Sequence, residues 1–274
     1  MPAMLESFSS SMIAFVLVLS RVGAMLSLAP IWGSRAVPMR LRAMLAVALA
    51  LLVAPLHQVS LSQSDFLPLT IAIAKETGLG LAMGSTLTIF FAGFQMAGQL
   101  IAQTSGLSLA ESYDPSQDET VPIFSQFLDQ LGLAIFMLLG GHRVALKAVL
   151  DSFVWMPPGK AELPPDLVLA VVEVLSKSCA LGIQVAAPIM LAMLVSNLVL
   201  GLVSRALPQL NMMNMGLGLN AILAVLVLSL TLGSLPWLLN QDPLAIWRSL
   251  LEVNPEAAKS AADVVVPSPN FSPG

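Results

Sequence analysis

Apolar residues run along this chain in long blocks without charge, and the polar residues gather between them. No charged residue lies between Glu76 and Glu111, between Lys177 and Arg205, or between Arg205 and Asp242. Each of these gaps exceeds the about 20 residues a helix needs to cross the hydrocarbon core of a bilayer. In lipid the backbone must satisfy its own hydrogen bonds, so blocks this long predict helices rather than the about 10-residue strands of a barrel. The expected fold is all-α: a polytopic membrane-type helical protein with long kinked helices and a C-terminal helical hairpin.

The first segment runs from Met12 to about Ile31, with Pro30 marking its end. A basic loop, Arg35 to Arg42, follows. The second apolar run, Ala43 to Leu56, is short and stops at Pro55, which suits a half-crossing or a helix buried in protein. A third run extends from Phe66 to Ala102, interrupted only by Lys75 and Glu76. As one helix it would reach about 55 Å, so it must bend, fold back or protrude. Gly78, Gly80 and Gly84 offer places to bend.

A polar loop follows, Thr104 to Pro122, and then a segment from Ile123 to about Leu150 that begins apolar and ends polar. A Pro/Gly-rich joint, Met156-Pro-Pro-Gly-Lys160 to Leu163-Pro-Pro165, is the best internal boundary. The hairpin has one arm from Asp166 to Ser204, where Pro188 predicts a kink. Its turn is Arg205-Ala-Leu-Pro208-Gln-Leu-Asn211, and its return arm reaches about Leu239. The tail, Asn254 to Gly274, is expected to be flexible.

Composition agrees. Of 274 residues, 57% are apolar and only 10% charged, with mean hydropathy +0.85; a soluble domain carries about 25% charged residues. A net charge of −4 with no basic stripe excludes nucleic acid as a partner. Glu111, Asp114, Asp118 and Glu119 occupy the polar loop without a cation, and together they equal that net charge. The single cysteine, Cys179, excludes an internal disulfide and reads as a small buried residue. No cleavable leader is expected, because Glu6 precedes the first apolar run and Arg21 lies inside it. With six crossings, Arg35, Arg40, Arg42 and Arg205 would oppose Arg143, Lys147, Lys160, Arg248 and Lys259. That is no positive-inside bias, so either some segments do not cross or the protein is not simply embedded in lipid.

Gln95, Gln99 and Gln103 recur every four residues and form one polar face on a helix. Such a face turns toward protein or water; helix–helix hydrogen bonding is the plain reading and lining a conduit the alternative. Arg143, Lys147 and Asp151 share that spacing and read as a solvated helix end, and Glu173 with Lys177 as a local ion pair. Arg21, in mid-segment, requires a buried partner in this chain or another, or a transported ligand. Gly80-x-x-x-Gly84 and Gly182-x-x-x-Ala186 permit close helix approach. His57 and His142 lack further ligands at metal spacing. The fifteen methionines, Met212, Met213 and Met215 among them, suit adaptable packing. No cluster of His, Cys and carboxylates suggests an enzyme, and no cofactor is expected.

A set of short motifs resembles the FliR/SctT family of the type III secretion export gate. They are Arg21-Val-Gly23 with Pro30, Pro38-x-x-x-Arg42 with Pro55, and Gln95-x-x-Gly98 leading to Gln103-Thr-Ser105-Gly106-Leu107, with Asp114-Pro115 downstream. Gly140-Gly-His142, Asp151-Ser-Phe153 and Gly201-Leu-Val-Ser-Arg205-Ala-Leu-Pro208-Gln-Leu-Asn211 follow in order. The resemblance spans residues 5 to 240, and the Gly-Gly-His and Asp-Ser-Phe pieces look more like the flagellar branch. One departure is that Asn211 leads into Met212-Met-Asn-Met215, where the family often has an aromatic residue.

The resemblance implies a non-enzymatic subunit that joins FliP-type and FliQ-type subunits in one hetero-oligomer, beside an FlhB-type protein. That assembly would be the channel for exported unfolded protein substrates, in the bacterial inner membrane at the flagellar basal body. Residues 1–165 would be FliP-like, 166–253 a FliQ-like hairpin and 254–274 the tail. The loop at 105–122 would be a channel plug, formed by Ser105, Gly106, Leu107, Glu111, Asp114, Pro115, Asp118 and Glu119. Arg205, Pro208 and Asn211 would mark the hairpin turn. The rival from a different class is a self-sufficient secondary transporter binding a small solute through Arg21 and Lys75/Glu76, although no internal repeat supports it.

Overall fold

A computed structural model describes residues 2–33, 37–57, 66–106, 122–161, 167–206, 212–231 and 233. Among these the regular structure is helical throughout: α1 (Pro2–Leu28), α2 (Pro30–Gly33), α3 (Met39–Val53), α4 (Phe66–Ser105), α5 (Ile123–Leu138), α6 (Gly141–Trp155), α7 (Leu167–Ala206) and α8 (Met212–Thr231). A 3₁₀ turn, Ala54–Leu56, extends α3. By length and composition Ser10–Leu28, Met39–Leu56, Leu67–Ser105 and Leu167–Ala206 could each cross a membrane. The expected all-α polytopic architecture is therefore present.

Proline and glycine set most of the boundaries. Pro38 and Pro122 occupy the N-cap positions of α3 and α5, where a missing N–H costs nothing. At the end of α5 the backbone reaches Gly140 with φ +77, a left-handed conformation that glycine adopts without a Cβ clash. Hydroxyls inside the helices bond back to their own turn, as Thr77 Oγ1 does to the Ile73 carbonyl (2.8 Å) and Thr86 Oγ1 to Ala82 (2.8 Å).

Three expectations change. The second apolar segment begins at Met39 rather than Ala43, so the run to Leu56 has 18 residues and is long enough to span; helix initiation at Pro38 recruits Met39-Arg-Leu-Arg42. The third segment does not fold back, because α4 is one 40-residue helix, about 60 Å long. The fourth segment breaks at Leu139–Gly140, and α6 continues to Trp155. The Pro/Gly joint lies between α6 and α7, and Pro188 lies inside α7. The tail and the end of the return arm lie outside the described residues.

The described residues form two compact units. One is drawn from within 1–88 and 142–171, the other from within 89–141 and 172–243. In the first, α1 packs on α3, with Ala14, Leu17, Ala54 and Ala72 buried together beside Ile13, Phe15 and Ile73. Gly80 and Gly84 serve close packing on α1: a Cβ on Gly80 would strike the Arg21 carbonyl and Ala24, and one on Gly84 would lie 2.8 Å from Leu28.

In the second unit, Phe90, Phe91, Phe94 and Phe136 pack edge-to-face or tilted, with centroids 5.4 to 6.2 Å apart. Gly93 meets the Ser178 backbone, and Gly98 the backbone at Phe124 and Ser125. A Cβ on Gly182 would stand 2.7 Å from the Gly93 carbonyl, so the small residue read from the sequence faces another glycine.

Candidate functional site

In the first unit α1, α4 and α6 converge on Arg21. Its side chain is wholly buried, and the thin Gly80 surface lets α1 lie close enough for the guanidinium to reach across. Nε donates to Glu76 Oε2 at 2.6 Å, and Glu76 is equally buried. Nη1 donates to both the carbonyl and Oγ of Ser152 at 3.1 Å, and Nη2 to the Met156 carbonyl at 3.0 Å. The Phe153 ring lies 4.3 Å from Cζ, a cation–π geometry.

Glu76 Oε1 in turn accepts the Gly159 N–H at 2.9 Å, where the joint turns with φ +84. His57 stacks at a tilt on Phe153, 6.1 Å away. Partial burial, and then the positive charge of Arg21, hold His57 below the usual imidazole range. The required buried partner is thus in this chain, 55 residues on.

The cluster is closed. Each nitrogen of Arg21 has a partner, both Glu76 oxygens are engaged, and Lys75 points to the exposed side. A guanidinium and carboxylate arranged this way hold helices together, with four of the guanidinium's five N–H donors already engaged within the protein.

In the second unit, the C-terminal turn of α4 presents carbonyls that lack helical partners, on half-buried Thr104 and buried Ser105. Asn197 Nδ2 donates to the Thr104 carbonyl at 3.1 Å, and Asn220 Nδ2 to the Ser105 carbonyl at 3.2 Å. Asn220 Nδ2 also donates to Asn197 Oδ1 at 2.9 Å, and Ser196 Oγ to Asn220 Oδ1 at 2.7 Å. Both hairpin arms, α7 and α8, therefore hold the end of α4, α7 at Thr104 and α8 at Ser105, where the expected plug begins. Gly106 follows with φ +76.

Gln95, Gln99 and Gln103 are all exposed, and with Ala92 they are the exposed positions of α4 from Ile89 to Ser105. Gln95 hydrogen-bonds the Asp129 carboxylate, and its carbonyl accepts from Ser125 Oγ at 3.1 Å. The three glutamines thus lie along one exposed face of α4.

Ser105 and Gly106 are described, whereas Leu107, Glu111, Asp114, Pro115, Asp118 and Glu119 lie outside the described residues. Arg205 is exposed at the end of α7; Pro208 and Asn211 lie outside the described residues, as do the side chains of Met212, Met213 and Met215. Glu173 and Lys177 pair at 2.8 Å on the exposed side of α7. Arg143 and Lys147 are exposed. Cys179 is half-buried rather than buried, because the buried line of α7 runs through Val174, Ser178 and Leu181. Among the described residues no three His, Cys, Asp or Glu side chains converge as metal ligands.

Sequence reasoning missed three positions. Ser152 was visible only as the middle of Asp151-Ser-Phe153. Asn197 and Asn220 each stand in a block without charge, where an amide signals a hydrogen-bond partner within the protein.

The sequence model of the bacterial export proteins, family 1, matches residues 12–243. The flagellar biosynthetic protein FliR of Caulobacter vibrioides is 32% identical over 238 residues, covering 84% of this chain and 94% of that protein. The FliR of Escherichia coli is 32% identical over 203 residues, 72% of this chain and 76% of its own. That of Aquifex aeolicus is 29% identical over 225 residues, 81% and 86% respectively. A family match over residues 12–243, with relatives this similar over most of their length, places it: the chain belongs to the FliR family of bacterial export proteins.

Proposed function

We infer that this chain is a core subunit of the flagellar type III protein export gate. With FliP-type and FliQ-type subunits it forms the channel through which unfolded flagellar proteins leave, in the inner membrane at the basal body, beside an FlhB-type protein. It is a structural and transport component rather than an enzyme. The observation that carries this reading is the match to flagellar biosynthetic FliR proteins over most of the chain.

Two features of the molecule support it. The exposed face of α7 is apolar over several turns, with Leu191, Leu194, Leu198 and Leu202 each at least 60% exposed, a surface that calls for lipid or neighbouring helices. In the same unit α4 exposes amides, which hydrocarbon disfavours. A subunit that borders both helices and an aqueous passage has this pair of surfaces. The transporter reading loses ground because Arg21 and Glu76, its proposed solute ligands, satisfy one another. Residues 1–165 would then be the FliP-like part, 166–253 the FliQ-like hairpin and 105–122 the plug.

The test is export itself. Deleting the gene should abolish secretion of flagellar subunits into the medium, and the intact gene should restore it. Deleting residues 110–118 should raise ion leak through an assembled complex. Undiminished secretion from the deletion strain would overturn the reading.

A further inference from the structure

In the first unit α1 lies against one side of α4, at Gly80 and Gly84, and another side of the same stretch is exposed. There Leu67, Ile71, Ala74, Gly78, Leu81 and Ser85 follow one another at alternating steps of four and three residues. That is the a/d spacing along which a second helix packs. Leu67, Ile71, Ala74 and Leu81 are exposed, and Gly78 and Ser85 half-buried. At the middle of this seam Ala74-x-x-x-Gly78 is a small-x-x-x-small pair, which lets two backbones come close. Lys75 is exposed beside that pair, at the e position, where packed helices exchange charges.

Glu76, the other charged residue between Phe66 and Ala110, is spent on Arg21, and among the described residues no other carboxylate pairs with Lys75. Exposed apolar residues continue on both sides of Lys75, to Leu67 about 12 Å away along the helix and to Leu81 about 9 Å away. Bare hydrocarbon would cover those residues but strand the ammonium. Water would solvate the ammonium but wet the seam. A helix that carries a carboxylate satisfies both. We propose that this face of α4 docks a membrane helix of a neighbouring subunit, packed along the seam from Leu67 to Ser85 and presenting an Asp or Glu to Lys75. A second copy of this chain does not fit on the same face, because the positions it would bring opposite are Thr70, Thr77 or Lys75 itself. A different polypeptide supplies the carboxylate, and the inference rests on the export-gate reading for the assembly that contains it.

The experiment uses the extracted hetero-oligomer. A membrane-soluble carbodiimide condenses an amine with a carboxylate in contact with it and inserts no spacer, and the joined peptides are identified by mass. The docking face predicts an amide between Lys75 and an Asp or Glu in an apolar segment of another subunit, absent in Lys75→Met. Acetylation by an N-hydroxysuccinimide ester should modify Lys75 in the isolated chain and spare it in the assembly. Equal acetylation in both, or a crosslink to a carboxylate of this same sequence, would overturn the proposal. So would an anionic lipid retained by the parent and released by Lys75→Met, which would make the partner a headgroup.

A second arm reads assembly directly. Lys75 is exposed in the chain itself, so Lys75→Glu should leave the melting temperature of the isolated chain unchanged. It should nevertheless lower recovery of the hetero-oligomer by about tenfold or more, because two like charges then meet in a desolvated seam. Lys75→Arg should keep most of the assembly, and changing the mapped carboxylate to lysine should rescue Lys75→Glu. Full assembly of Lys75→Glu, or a loss that the reciprocal charge does not rescue, would contradict the ion pair. If the chain forms no hetero-oligomer, the export-gate reading fails; if it does and Lys75 stays open to acetylation, only the docking face fails.

Discussion

In the first unit the buried polar centre is ionic, Arg21 against Glu76. In the second the polar centre is neutral and partly exposed: exposed Asn197 and buried Asn220 bond the carbonyls of Thr104 and Ser105, and buried Ser196 bonds Asn220. Both centres join residues from three helices or their ends, but they do so with different tolerance. An ion pair out of water is stable only while complete, since removing either partner strands a charge. A neutral amide network degrades by one hydrogen bond at a time. The first unit is therefore locked, whereas the second is held by a set of separable bonds at the root of the acidic loop.

The largest expected effect breaks the lock. Arg21→Leu leaves Glu76 buried and unpaired, at a cost of about 3–5 kcal/mol. The variant should fail to accumulate, and its extracted form should melt well below the parent. Combining it with Glu76→Leu should restore most of the stability, because the pair then becomes an apolar contact. No recovery in the double variant would show that the bonds to Ser152, Met156 and Gly159 matter more than the pair.

Next in size is close packing in the second unit. Gly98→Val drives a side chain into the Ser125 backbone, which cannot yield as a side-chain tip could; overpacking of this kind costs about 1–3 kcal/mol or more. Thermal unfolding of the detergent-extracted complex would read it, and an unchanged midpoint would contradict the close approach of α4 and α5. Asn220→Leu should cost about 1–3 kcal/mol, through the Ser105 carbonyl left without its donor. It should also speed amide hydrogen exchange at the end of α4 without affecting α1, and uniform exchange would dissolve the contrast between the units.

The smallest effect belongs to the surface pair. Glu173→Ala removes an exposed i, i+4 bridge and should change stability by no more than about 0.5 kcal/mol, with no effect on accumulation. A loss comparable to that of Asn220→Leu would mean that this face of α7 is covered.

The helices were legible because apolar runs in lipid admit few backbone solutions, and the polar face of Gln95, Gln99 and Gln103 because the helical repeat is fixed. Arg21 announced its need of a partner by standing among apolar residues. The identity of that partner was hidden, because Glu76 lies 55 positions away and stands in the sequence only as part of the Lys75/Glu76 interruption of the third apolar run. The break at Gly140 showed only as a change from apolar to polar along one segment, a change that a continuous helix leaving the membrane would show as well. Asn197 and Asn220 escaped because a helix end's orphan carbonyls belong to the backbone, and no residue type marks where they fall. Gly80 and Gly84 signalled small size correctly, yet size alone does not tell a bend from a close approach.

The most direct test of the central claim is native mass spectrometry of this chain, tagged, co-expressed with its chromosomal neighbours and extracted in mild detergent. The account predicts one copy in a large, stable hetero-oligomer of small helical membrane proteins. A lone monomer or homodimer, with those neighbours present, would contradict it and return the solute transporter to first place.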